Sequence, residues 1–143
     1  MKYLSKTICL AVSFLLILTA LGVADNHVRT DYTPLPEEQY FEKTPYRSGG
    51  FGIDNREDMR EQLDNYNLKL VFANDKGEYL ADIDVKIVDE QGRWMLAADS
   101  NGPWFYTRLP SGEYTVLANY DRILRMEKVN VQSDRQRILN IVW

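Results

Sequence analysis

From Tyr66 to Trp143 the chain breaks into short runs in which apolar and polar residues alternate. Turn-forming clusters interrupt them about every eight to twelve residues, the spacing of an all-β sandwich. A period of two puts successive side chains on opposite faces of a strand, so each run has one face to bury. Leu68, Leu70 and Phe72 alternate with Lys69, Val71 and Ala73, and Asn74-Asp75-Lys76-Gly77 then turns the chain. Ile83, Val85 and Ile87 alternate with Asp84 and Lys86 ahead of a turn at Glu90-Gln91-Gly92. Five further strands are expected over residues 93–98, 103–107, 114–120, 124–131 (with an irregularity) and 138–143. No helix-length period intervenes, which disfavours parallel βαβ units. The expected fold class is therefore all-β: a seven-stranded antiparallel Greek-key sandwich over residues 66–143.

The N-terminus follows different rules. Lys2 and Lys6 precede an apolar run over residues 8–21, and the small residues Gly22 and Ala24 follow it. This is the three-part pattern of a secretory signal peptide over residues 1–24, cleaved after Ala24. The apolar run is shorter than the roughly 20 residues of a spanning helix, so no membrane span is expected after cleavage. Cys9 follows Lys6-Thr7-Ile8 rather than the small residues that precede an acylated cysteine. The expected location is periplasmic or secreted. Cleavage removes the single cysteine, and with it any disulfide, thiolate nucleophile or cysteine-ligated metal. It also removes two of the 17 basic residues and none of the 21 acidic ones. No basic excess remains to neutralise phosphates, which argues against nucleic acid or anionic lipid as partner.

Residues 25–53 read as an irregular, extended leader. Pro34, Pro36, Pro45, Gly49, Gly50 and Gly52 break any period, while Tyr32, Tyr40, Phe41, Tyr46 and Phe51 offer aromatic rings to the domain or to a partner. Residues 54–65 predict a short helix: Asp54 and Glu57 have capping-box spacing, and Met59 and Leu63 share a face.

Residues 99–116, Asp-Ser-Asn-Gly-Pro-Trp-Phe-Tyr-Thr-Arg-Leu-Pro-Ser-Gly-Glu-Tyr-Thr-Val, carry a recognisable pattern of Asp-x-x-Gly, alternating aromatics and Leu-Pro-x-Gly-x-Tyr-x-Val. The stretch resembles the signature of carboxypeptidase regulatory-like domains and of the related collagen-adhesin B-type and transthyretin-like sandwiches. The resemblance extends over roughly residues 66–143 and implies a prealbumin-like fold. It gives Asp99, Gly102, Leu109, Gly112 and Tyr114 scaffold roles. Gly102 and Gly112 would supply backbone angles that other residues resist, Leu109 would plug the end of the sandwich, and the Tyr114 hydroxyl would tie down the preceding turn. Such sandwiches host many unrelated tasks, so the resemblance implies a scaffold rather than an activity.

Candidate chemistry is sparse. The transthyretin-like hydrolase of a urate breakdown product depends on several histidines and a C-terminal Tyr-Arg-Gly-Ser; here the one histidine is His27, in the leader, and the chain ends Asn-Ile-Val-Trp. B-type adhesin domains often carry an internal Lys-Asn amide bond promoted by a buried Glu. Lys69 and Asn140 invite the comparison, but Ala118 stands where that Glu would be, and Lys69 is expected to face outward. Asp82 and Asp84 are expected on the outer face of a strand, solvated. The turn at residues 99–102 lacks the ligands of a calcium hand, so neither metal nor cofactor is expected. Trp104 alternates with Tyr106 and is expected in the core. Trp94 and Trp143 remain as binding candidates, because an indole face stacks on a pyranose. The sequence thus predicts a non-enzymatic exported module that binds an envelope protein through a sheet edge or the aromatic leader, with carbohydrate binding at Trp94 or Trp143 as the alternative.

Overall fold

The computed structural model describes residues 34–143; the expected signal peptide, the first part of the leader and His27 lie outside the described residues. The described chain is mostly β, and its strands form two sheets. Strands β1 (Gln39–Phe41), β2 (Thr44–Gly49), β3 (Leu68–Ala73), β6 (Trp104–Thr107) and β9 (Arg137–Val142) make a five-stranded sheet in the order β1-β2-β6-β3-β9. Strands β4 (Ile83–Asp89), β5 (Trp94–Ser100), β7 (Gly112–Tyr120) and β8 (Ile123–Val131) make a four-stranded sheet in the order β5-β4-β7-β8.

Period-two alternation builds the main core. Leu68, Leu70 and Phe72 of β3, Ile83, Val85 and Ile87 of β4, and Tyr114, Val116 and Ala118 of β7 are all buried in one cluster with Leu96, Phe105 and Ile141. Their burial removes the apolar face of each strand from water, the main term holding two sheets together.

Several expectations need correction. The sandwich is not wholly antiparallel: β3 and β9 pair in parallel, from Leu68 opposite Arg137 to Ala73 opposite Val142. Residues 66–143 hold seven strands, but the described residues hold nine, because the leader, expected to be irregular, contributes two. β2 runs antiparallel to β6, from Tyr46 opposite Thr107 to Gly49 opposite Trp104, and β1 folds back on β2. The physical reason is that β6 would otherwise be a raw edge, and an added strand satisfies its backbone groups whatever the local pattern of the strand supplied. Tyr46 stacks on Phe105 with centroids 5.3 Å apart, and Phe41 packs against the main core.

The helix α1 spans Gly52–Glu61, with Phe51 at its N-cap and no side-chain cap, so Asp54 lies inside the first turn. A 3₁₀ turn over Leu63–Asn65 follows. The β8 irregularity is also absent: β7 and β8 keep one register from Gly112 opposite Val131 to Tyr120 opposite Ile123, and the shift falls instead between β4 and β5 at Ile87/Val88. Asp82 precedes β4 with φ 57° and is exposed, so only Asp84 sits on the strand, bonded by the Lys86 ammonium at 2.7 Å.

α1 covers part of the outer face of the five-stranded sheet. Met59, Tyr66, Trp104 and Tyr106 form a second buried cluster there, with Leu35, Leu63 and Val71 at its margin. Trp104 is therefore buried as expected, but in this second layer rather than between the sheets. Asn55, itself buried, accepts the Gly50 N–H at 2.6 Å and donates to the Pro34 carbonyl at 3.0 Å, latching the leader to the helix.

Candidate functional site

The sequence candidates scatter. Trp94 opens β5 and is 55% exposed. It borders a shallow depression of about 480 Å³ shared with Met95 and with Glu42, Lys43 and Thr44 at the β1–β2 turn. Trp143 lies at the other end of the sandwich, half-buried against Phe72 and Tyr120, with its indole N–H donating to the Ile123 carbonyl at 2.8 Å. Register separates the two rings by the length of β7, since Trp94 pairs with Val88 near Tyr114 while Trp143 touches Tyr120. The two cannot form one stacking platform.

The scaffold motif has physical roles, though not all the expected ones. Leu109 is buried in the main core, and the Asn67 side chain clasps its backbone, donating to its carbonyl and accepting its N–H. The Tyr114 hydroxyl donates to the Pro110 carbonyl at 2.7 Å. Asp99 is exposed, whereas Ser100 beside it is buried and bonds the Gly102 carbonyl. Neither Gly102 nor Gly112 has a positive φ. Gly102 is required for a different reason: a Cβ there would strike the backbone of Gly49 in β2. At Gly112 a Cβ would meet only the Tyr114 ring at ordinary contact distance.

Lys69 departs most from expectation. It does face away from the main core, but α1 and the second cluster cover it, leaving 7% exposed. Its ammonium lies 3.3 Å from the centroid of the Trp104 ring and 5.4 Å from that of Tyr106, with the Arg60 guanidinium also over Trp104 at 5.3 Å. Burial, reinforced by the Arg60 charge, lowers the Lys69 amine from 10.5 to about 8. The Trp104 Nε1 and Tyr106 hydroxyl are buried with no hydrogen-bond partner among the described residues. One small concavity reaches Leu63 and Tyr66 at the margin of this cluster, while Lys69 lies against Trp104 and Tyr106, where cation–π attraction clamps helix to sheet. Asn140, opposite Val71, stands two pairs along β9 from Ile138, the residue opposite Lys69, and is exposed.

Nearby, Glu38 of the leader accepts hydroxyls from Tyr66 at 2.6 Å and Tyr40 at 2.7 Å. The Tyr66 bond first, then that from Tyr40, holds the Glu38 carboxyl below its ordinary range. Burial and the same bond push the Tyr66 hydroxyl up to about 12. Among the described residues, no three His, Cys, Asp or Glu side chains converge to hold a metal ion.

What sequence reading missed is the surface of β8. Residues 123–128 are exposed on both faces, whereas Val129 and Val131 anchor the strand in the core. Ile123, Leu124 and Met126 are large apolar side chains left in water, and Met126 is 60% exposed. β8 pairs only with β7, so no strand among the described residues bonds its other edge, and it meets β9 through side chains alone, Arg125 Nε donating to the Val142 carbonyl and the Trp143 indole to the Ile123 carbonyl, each at 2.8 Å. The β7–β8 turn, Asp121-Arg122, has two residues, both at positive φ, which makes Tyr120 and Ile123 a hydrogen-bonded pair. Bonding toward β7 then alternates, so Leu124, Met126, Lys128 and Asn130 aim their N–H and C=O groups at the open edge. The missed signal was the i, i+2 pair Leu124 and Met126 followed by Lys128, out of phase with the buried valines. No helix among the described residues is long and apolar enough to cross a membrane. Comparison with protein-family models and with curated proteins found no match to this chain.

Proposed function

We propose that the protein is an exported, non-enzymatic β-sandwich module of the cell envelope that binds a protein partner by adding a strand at the open edge of β8. The observation that carries this reading is the run of six exposed residues, 123–128, on a strand whose second edge is paired with no strand among the described residues. Main-chain groups supply affinity in such an addition, and the side chains flanking them supply selectivity. Periplasmic or secreted placement rests on the signal-like N-terminus. The strand orders β5-β4-β7-β8 and β6-β3-β9 support a prealbumin-like, carboxypeptidase regulatory-like Greek key to which the leader adds two strands. The leader is a weaker docking candidate, because Leu35, Phe41 and Tyr46 are already packed on the domain.

A photo-crosslinking residue placed at Leu124 in cells tests this. One dominant envelope protein should be captured there and not from Ala97 on the opposite edge strand β5. Equal capture at both positions, or none at Leu124, would defeat the reading.

A second reading, carbohydrate binding, is favoured by the exposed Trp94 face beside the polar Glu42, Lys43 and Thr44. Saturable fluorescence change with an envelope polysaccharide, abolished by Trp94→Ala, is its expected signature.

A further inference from the structure

We infer that the partner the β8 edge fits best is a second copy of this chain, added antiparallel about a two-fold axis through Met126. The inference rests on the edge-binding reading above and adds the partner's identity and the register. In a two-fold pair the same strand faces itself reversed, so each side chain is tested against another from the same sequence. With the axis at Met126, Arg125 stands opposite Glu127 of the second copy, and Glu127 opposite its Arg125. Both side chains are exposed and lie on the same face of the strand, and Arg125, whose Nε donates to the Val142 carbonyl at 2.8 Å, keeps its terminal N–H groups for a carboxylate, so two opposite-charge cross-strand pairs form.

Neighbouring registers fail this test. An axis at Arg125 sets arginine against arginine, and one at Glu127 sets carboxylate against carboxylate, both destabilising. On the other face the Met126 axis brings Met126 against Met126 and Leu124 against the stem of Lys128, covering apolar side chains that the monomer leaves in water. The backbone agrees: Leu124, Met126 and Lys128 are the residues whose N–H and C=O groups point outward, and this register sets them opposite one another as hydrogen-bonded pairs. Arg125 and Glu127, on the core-facing side of an edge strand, also explain why the edge does not pair indiscriminately. Inward charges discourage any strand that cannot neutralise them.

Sedimentation of the purified protein at roughly 100 µM, a concentration that populates even weak association, should show a dimer. Arg125→Glu should weaken it at least about tenfold by setting carboxylates against carboxylates, and so should Glu127→Arg by setting guanidinium against guanidinium. The double exchange, Arg125→Glu with Glu127→Arg, restores opposite pairs and should restore the dimer. Met126→Cys should oxidise to a disulfide-linked dimer, because hydrogen-bonded antiparallel partners lie about 5.5 Å apart at Cα, within disulfide reach. Leu124→Cys, displaced from the axis, should not. A monomer at that concentration, or a dimer indifferent to both single charge changes, overturns the inference. The edge-binding reading would survive that result if the Leu124 crosslink still captured a different protein, and would fall only with that crosslink.

Discussion

At the scale of single residues, Lys69 and Gly102 show how position overrules type. A lysine on the outer phase of β3 reads as solvated, yet α1 lies over it and the amine is lowered to about 8. The sign of the consequence follows from proton counting. Between pH 8 and about 10 the unfolded chain holds the Lys69 proton more tightly than the folded one, so stability rises with pH across that window. The upper limit is set by the tyrosines: Tyr66 and Tyr106, both raised by burial, favour the unfolded state once free tyrosine ionises. Urea denaturation at successive pH values should show this rise in the native protein and lose it in Lys69→Met. Gly102 is legible in the sequence as a required glycine, but the reason, contact with the Gly49 backbone, appears only once β2 is in place. Gly102→Ala should destabilise by about 1–3 kcal/mol, as overpacking does. Gly112→Ala should stay within about 0.5 kcal/mol, and paired urea titrations would check both.

Among elements, the strands from β3 onward were legible because each carries its own alternation, which needs no knowledge of its neighbours. The β1–β2 hairpin was not. Thr-Pro-Tyr-Arg-Ser-Gly has no strand pattern, and it is extended because β6 needs a partner and Phe105 offers Tyr46 a stacking face. The parallel β3–β9 pair was equally hidden, since alternation carries no direction. If the hairpin is integral, deleting residues 25–49 should lower the urea midpoint markedly and expose Trp104 to quenchers, whereas a loose arm would leave both unchanged. The β7–β8 turn carries a different liability. Asp121 and Arg122 have φ of 46° and 66°, a region that costs a non-glycine residue roughly 1–2 kcal/mol. Replacing the pair with Asn-Gly, the residues this turn type prefers, should raise stability by about 1 kcal/mol, read from the unfolding midpoint.

At the scale of the whole molecule, the binding candidates divide by end and edge. Trp94 marks one end of the sandwich, Trp143 is occupied at the other, and β8 forms an open side. Neither tryptophan's environment was legible, because burial of a terminal ring depends on which strand ends arrive beside it. Trp94→Ala should change stability by less than about 0.5 kcal/mol. Trp143→Ala should cost more, about 3 kcal/mol, because the ring seals the core at Phe72 and Tyr120; thermal melts would separate the two.

The parallel pairing of β3 with β9 also orders events in time. β3 is the first strand of the main core to be made, and the strand that completes its pairing is made roughly 70 residues later, a long loop to close. A chain emerging N-terminus first therefore waits, with β3 half-paired and Phe72 unsealed, until its final segment is delivered. Any channel or chaperone that holds this chain must therefore release nearly all of it before it can lock, which suits handling of an unfolded chain and penalises any step that demands a finished domain early.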